Sequence, residues 1–160
     1  MTPAQVAATL LGAMPQPVST GQLEDYGIEA SESSARQVTR EILSLNLYWI
    51  LAAIDAHVPL RYRAAIREEL FESIRTRWWE SGHIGPGTWE EYQQELEERR
   101  TEYGHLIDKE GMSHMAVSAK AASLIEDRGS VSFEDRQRLL VLLIDYAPAA
   151  QYGRLLEEVG

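Results

Sequence analysis

The sequence predicts an all-α fold: a single compact helical bundle of about six helices around a buried central helix at residues ~33–57. Three observations predict it. The stretch Leu43-Ser-Leu-Asn-Leu-Tyr-Trp-Ile-Leu-Ala-Ala-Ile54 is apolar on almost every side when wound at 3.6 residues per turn, as a helix inside a core must be. The segments around it repeat apolar residues at spacings of three and four. No segment alternates with period two between turn signals. The apolar stretch is too short to span a bilayer and carries Asn46, so a membrane is not expected as a partner.

Taken in order, the elements begin with a short helix over residues 3–14, with a proline at its start and Val6, Leu10 and Leu11 on one face. Residues 15–31 carry two prolines, two glycines and small polar residues, and read as a connector with a turn of helix at 22–26. This N-terminal part, 1–31, is expected at the periphery of the one domain that spans 1–160. The central helix starts at Ser33 or Ser34, follows Ala35, Val38, Ile42, Leu45, Trp49 and Ala52, and stops before Pro59. A third helix over 60–80 shows Ile66, Leu70, Ile74 and Trp78 at steps of four and ends in the glycine-rich run 81–87. Thr88 and Glu91 form a capping-box pattern for a strongly polar fourth helix. Its stripe of Trp89, Tyr92, Leu96, Tyr103 and Leu106 is narrow and is broken by Arg99 and Arg100, which places the helix on the outside. An alanine-rich fifth helix covers 112–127, Ser132 caps a sixth, and Pro148 opens a last. The run Glu80-Ser-Gly-His-Ile84 before Thr88-Trp-Glu-Glu echoes Asp127-Arg-Gly-Ser-Val131 before Ser132-Phe-Glu-Asp, a similarity that ordinary capping chemistry explains.

Charge narrows the function. The chain is 160 residues long with a net charge of −10, and residues 80–110 alone hold nine acids against three bases. That distribution opposes sequence-independent binding to nucleic acid, which relies on clustered Lys and Arg, so no nucleic acid is expected. It suits an unknown protein partner of basic character. There is no cysteine, hence neither a disulfide nor a thiolate metal site. The first 19 residues have no basic residue ahead of their apolar turn and do not read as a signal peptide, so a cytoplasmic location is expected.

Chemical motifs are sparse. No serine lies in a Gly-x-Ser-x-Gly elbow, and Gly82, Gly85 and Gly87 surround a proline without the lysine of a phosphate-binding loop. No catalytic residue is assigned, no cofactor is expected, and the chain reads as more a binder than an enzyme. The densest group of metal-ligand types is Glu102, His105 and His114. Glu102 and His105 stand at i and i+3, the spacing used in carboxylate-bridged di-iron bundles, and Glu80 and His83 repeat it. Such a site also needs inward glutamates on two other helices, for which Glu41 and Glu69 are the nearest candidates. A metal-dependent bundle enzyme is therefore the first alternative. A helix-turn-helix-like regulator, on Leu23, Gly27 and Ile28 followed by a helix from Ser31 or Ser33, is the second; Glu29 and Glu32 would face phosphates badly. Self-association along the stripe from Trp89 to Leu106 is the third, giving a homodimer.

The leading expectation is a non-catalytic, acidic helical module that binds another protein, of inhibitor, immunity or adaptor type. The residues assigned to its partner surface are Trp78, Trp79, His83 and Trp89 around the glycine run, with Glu95, Glu97 and Glu98 on the acidic helix. Adjacent Trp78 and Trp79 point about 100° apart on a helix, so both cannot enter the core in the same direction.

Overall fold

The computed structural model describes residues 1–108, 114–129 and 131–159, and among them every regular element is helical. The order is α1 (Pro3–Ala13), α2 (Thr20–Asp25), α3 (Glu32–His57), α4 (Leu60–Ile74), α5 (Trp89–Asp108), α6 (His114–Asp127), α7 (Arg136–Asp145) and α8 (Ala149–Val159). A π-helical turn, Arg75–Trp79, extends α4, and a 3-10 turn, Phe133–Asp135, precedes α7. The start of α6 expected near residue 112 falls outside the described residues.

Local chemistry accounts for the helix starts. Thr2 and Gln5 close a reciprocal box at α1: the Gln5 amide donates to Thr2 Oγ1 at 3.2 Å and the Thr2 amide to Gln5 Oε1 at 2.8 Å. Ser19 and Gln22 do the same for α2, which forms inside the predicted connector. α3 is capped by Ser31, whose hydroxyl accepts from the Ser34 amide, two residues ahead of the expected start. Ser132 makes no backbone cap: its hydroxyl pairs with the Asp135 carboxylate, and the chain passes through the 3-10 turn first.

Two apolar clusters share α3. One gathers Val6, Leu10 and Met14 of α1, Leu43, Leu47, Ile50 and Ile54 of α3, Ile66, Leu70 and Ile74 of α4, and Tyr152 and Leu156 of α8. The other joins Val18, Leu23 and Ile28 to Ala35, Val38, Ile42 and Leu45 of α3, with Tyr103 of α5 and the inner faces of α6 and α7. Residues 1–31 thus contribute side chains to both cores. α3 is enclosed locally: Glu41 through Leu47 are all buried, whereas Ala52, Asp55, Ala56 and His57 are exposed. Over that enclosed stretch the helix must bury its polar residues too, and each has a partner, as unpaired polar groups in a core are costly.

Those partners bind neighbouring elements to α3. Thr39 Oγ1 accepts from the Val18 amide at 3.0 Å, fastening the connector. Ser44 and the Tyr92 hydroxyl of α5 lie 3.1 Å apart. Asn46 Nδ2 donates to the Tyr146 carbonyl at 2.8 Å, and its Oδ1 accepts from the Tyr152 hydroxyl at 2.6 Å, so one amide ties both the end of α7 and α8. Glu41 meets α5. Arg99 Nε donates to Glu41 Oε1 at 2.6 Å, Nη2 to Oε2 at 3.4 Å, and the Tyr103 hydroxyl to Oε1 at 3.0 Å. Arg99, expected from the sequence to break an outer stripe, is itself buried.

The two glycine-capped hairpins share geometry at the echoed positions. Gly82 and Gly129 both sit at φ +75°, a left-handed conformation that favours glycine, and two residues later Ile84 and Val131 are both buried. Each hairpin thus anchors its turn with one aliphatic side chain.

Candidate functional site

The segment between α4 and α5 is where the sequence-predicted partner residues meet. The π-turn at its start resolves the two adjacent tryptophans. Its wider winding lets Trp78 enter the first cluster, 8% exposed, while Trp79 stays half-buried beside it. Trp79 Nε1 donates to the Gly87 carbonyl at 3.3 Å, bracing the far end of the loop. Trp89, at the start of α5, packs half-buried on the same cluster, its ring 5.8 Å from that of Tyr92.

The loop itself is pinned from beneath. Ile84 is buried in the first cluster, and Arg40 of α3 donates through Nη1 to the Ile84 carbonyl at 3.3 Å and the Pro86 carbonyl at 3.1 Å. The Arg40 guanidinium also lies 5.1 Å from the centre of the Tyr92 ring. Three glycines at positive φ, Gly82, Gly85 and Gly87, let the backbone turn tightly over this anchor. His83 is left exposed at the surface of a loop held through its Ile84, Pro86 and Gly87 carbonyls and its buried aliphatic anchor. A loop held this way presents its outer groups with little further ordering, which lowers the entropic cost of binding.

The three glutamates divide. Glu95 faces inward and bridges two arginines: Arg40 Nε donates to Oε2 at 2.6 Å, and Arg128, after α6, pairs with Oε1. Burial pushes its carboxyl up, but hydrogen bonds from Arg40 and Arg128 outweigh it, leaving the group below the usual carboxylate range. Glu95 therefore ties α5 to α3 and to the α6–α7 turn. Glu97 and Glu98 are exposed; Glu97 pairs with Arg100 one turn along at 2.9 Å and leaves most of its side chain in solvent. Glu90 and Glu91 are exposed in the first turn, where negative charge complements the helix dipole. The Thr88 hydroxyl accepts from the Glu91 amide at 3.1 Å, as the capping pattern predicts.

The candidate metal ligands separate differently. Glu102 is half-buried with Oε2 lacking a hydrogen-bond partner, and His105, three residues on, is exposed. The side chain of His114 lies outside the described residues. Glu41, the inward glutamate such a site would require, is engaged by Arg99 and Tyr103, and Glu69 is exposed. Among the described residues no three carboxylate or imidazole side chains gather as a metal-binding group. The arrangement around Glu41 is electrostatically closed. Burial raises the Tyr103 phenol well above its ordinary value, the Glu41 charge adds to that, and the bond to Glu41 holds the Arg99 guanidinium charged against the cost of burial.

The Glu41–Arg99–Tyr103 group has no contiguous motif in the sequence. Its one signal was helical phase: Tyr92, Glu95, Leu96, Arg99 and Tyr103 recur at three and four, so Glu95 and Arg99 share the inward face of α5. On the helix-turn-helix segment, Ala35, Val38, Thr39 and Ile42 of α3 are buried, and Glu29, Glu32 and Ser33 are exposed. No helix among the described residues is long and apolar enough to cross a membrane. Comparison with protein-family models, curated proteins and solved structures found no match.

Proposed function

We propose that the protein is a non-catalytic binding module that recognises a basic protein partner through the glycine loop and the outer face of α5. The observation that carries this reading is the fixed loop at residues 81–87, flanked by the half-exposed indoles of Trp79 and Trp89. His83 stands on it, and the exposed carboxylates Glu90, Glu91, Glu97 and Glu98 follow on the next helix. Tryptophan at a fixed loop, followed by exposed acids on the next helix, is the composition of an interface that steers an oppositely charged partner and then anchors it. Trp78 and Glu95 belong to the support beneath, since one fills the core and the other is bridged by two arginines.

Paired substitutions separate surface from support. Glu97→Gln with Glu98→Gln should leave the unfolding midpoint within about 0.5 kcal/mol of wild type. The same pair should weaken capture of the partner from host lysate, and the loss should shrink as salt is raised. Glu95→Gln should instead lower stability, because Arg40 and Arg128 lose a shared counter-charge. Recovery of the same proteins in equal amounts by wild type and the Glu97/Glu98 variant at low salt would overturn the assignment of this face.

A further inference from the structure

The opposite end of α4 carries a second feature. α1 and α4 run side by side in the same direction: Leu11 and Met14 meet Trp78 at the loop end, and Pro3 and Val6 meet Tyr62 and Ile66 at the other. There the starts of α1 and α4 and the ends of α3 and α8 leave a groove of about 380 Å³. Val6, Ile66 and Leu156 are buried in its floor, and Tyr62, 45% exposed, stands on its rim. Leu60 and Met1, each more than 70% exposed, extend the apolar surface at the same end. The volume sits near the lower end of the roughly 300–1,000 Å³ spanned by small-molecule sites.

The lining of this groove differs in charge from the chain as a whole, although Glu157 and Glu158 follow Leu156 at the end of α8. None of its lining side chains is acidic, and His57 is one of them. The His57 imidazole is held against α8, where a Cβ on Gly153 would come within 3.3 Å of Nε2. The Arg61 guanidinium lies 4.7 Å from the centre of the Tyr62 ring, and Arg63 Nε donates to the carbonyl of Val58 at 2.8 Å. One basic side chain, His57, thus lines an apolar trough, and a second, Arg61, lies over its rim tyrosine, in a protein of net charge −10. An apolar body with a negative head complements both halves of that arrangement; a neutral or cationic one complements only the first.

We infer that this groove binds a single-chain amphiphile with a carboxylate head, its alkyl tail along Val6, Ile66 and Leu156 and its head beside Arg61 and His57. The site is independent of the loop surface and stands or falls separately from it.

Titration calorimetry of the whole chain with octanoate, decanoate and dodecanoate tests the inference, each kept below the concentration at which it self-associates. Saturable binding of one equivalent is expected. Affinity should rise by up to about fourfold per methylene and level off once the trough is full. Dodecanol and dodecyltrimethylammonium should bind at least tenfold more weakly than dodecanoate. Arg61→Glu, on an exposed side chain, should reduce dodecanoate affinity about three- to tenfold without moving the unfolding midpoint. Absence of saturable binding overturns the inference, as does equal affinity for the alcohol or the cation. So does an Arg61→Glu protein that binds dodecanoate as wild type does.

Discussion

Replacing Arg99 with methionine is expected to cost about 3–5 kcal/mol of stability, because it leaves the Glu41 carboxylate buried without its counter-charge. In a chain of this length that corresponds to a fall of roughly 6–20 °C in Tm. The size of the effect comes from the asymmetry of buried ion pairs. Bringing both charges out of water costs nearly what their attraction returns, so the intact pair contributes little net stability, while half a pair is a large penalty. Thermal and urea unfolding followed by circular dichroism give the number directly. Replacing Glu41, Arg99 and Tyr103 together by Met, Met and Phe should restore most of the loss, since no buried polar atom of the group is then stranded.

Asn46→Leu is the second large effect expected. The substitution keeps the approximate volume but removes the partners of two groups on other elements, the Tyr146 carbonyl and the Tyr152 hydroxyl. Each stranded group costs about 1–3 kcal/mol, so a total of roughly 2–6 kcal/mol is expected. Tyr152→Phe should cost less, because it strands only the Asn46 oxygen. The loss should also be local: amide exchange in α8 should accelerate before that in α3 and α4, as α8 is the element whose polar tether to α3 is cut. Uniform acceleration across all helices would mean that this amide does not act as the tether.

The helices were legible in the sequence because the information that makes them is local. The spacing of Ile66, Leu70 and Ile74, the hydroxyl of Thr88 and the glycine at Gly129 each act within a turn or two of chain. The polar contacts of the core were not, because their partners are distant: Glu41 and Arg99 are 58 residues apart, Asn46 and Tyr152 are 106. A glutamate inside an apolar helix has the same signature whether it will meet a metal or an arginine, so Glu41 is as good a candidate metal ligand by sequence as it is an ion-pair partner. The tryptophans show a different limit. The spacing puts Trp78 in step with Ile66, Leu70 and Ile74 and separates it from Trp79; the π-turn through which the chain winds there has no local sequence signal of comparable strength. Glu95, by contrast, was within reach, since its phase with Tyr92 and Arg99 places it on the inward face of α5 and away from Glu97 and Glu98.

The division between support and surface gives the candidate site its character. Arg40, Glu95 and Ile84 hold the loop and in doing so are withdrawn from any partner, while Trp79 braces it through its indole N–H and keeps part of its ring outward. What is left outward is small: one imidazole, the outer parts of two indoles and a set of acids on α5. A surface of that kind depends on its scaffold being rigid, and the scaffold is α3 with its buried polar contacts.

A double-mutant cycle on Glu41 and Arg99, in a Tyr103→Phe background that removes the third partner, tests that dependence most directly. Unfolding free energies of Glu41→Met, Arg99→Met and the combined protein should yield a coupling of at least about 2–3 kcal/mol, at or above the upper end of the range for residues in contact. Additive losses, with a coupling under about 0.5 kcal/mol, would mean that these side chains do not meet in the folded protein and that α5 is not fastened to α3 as described.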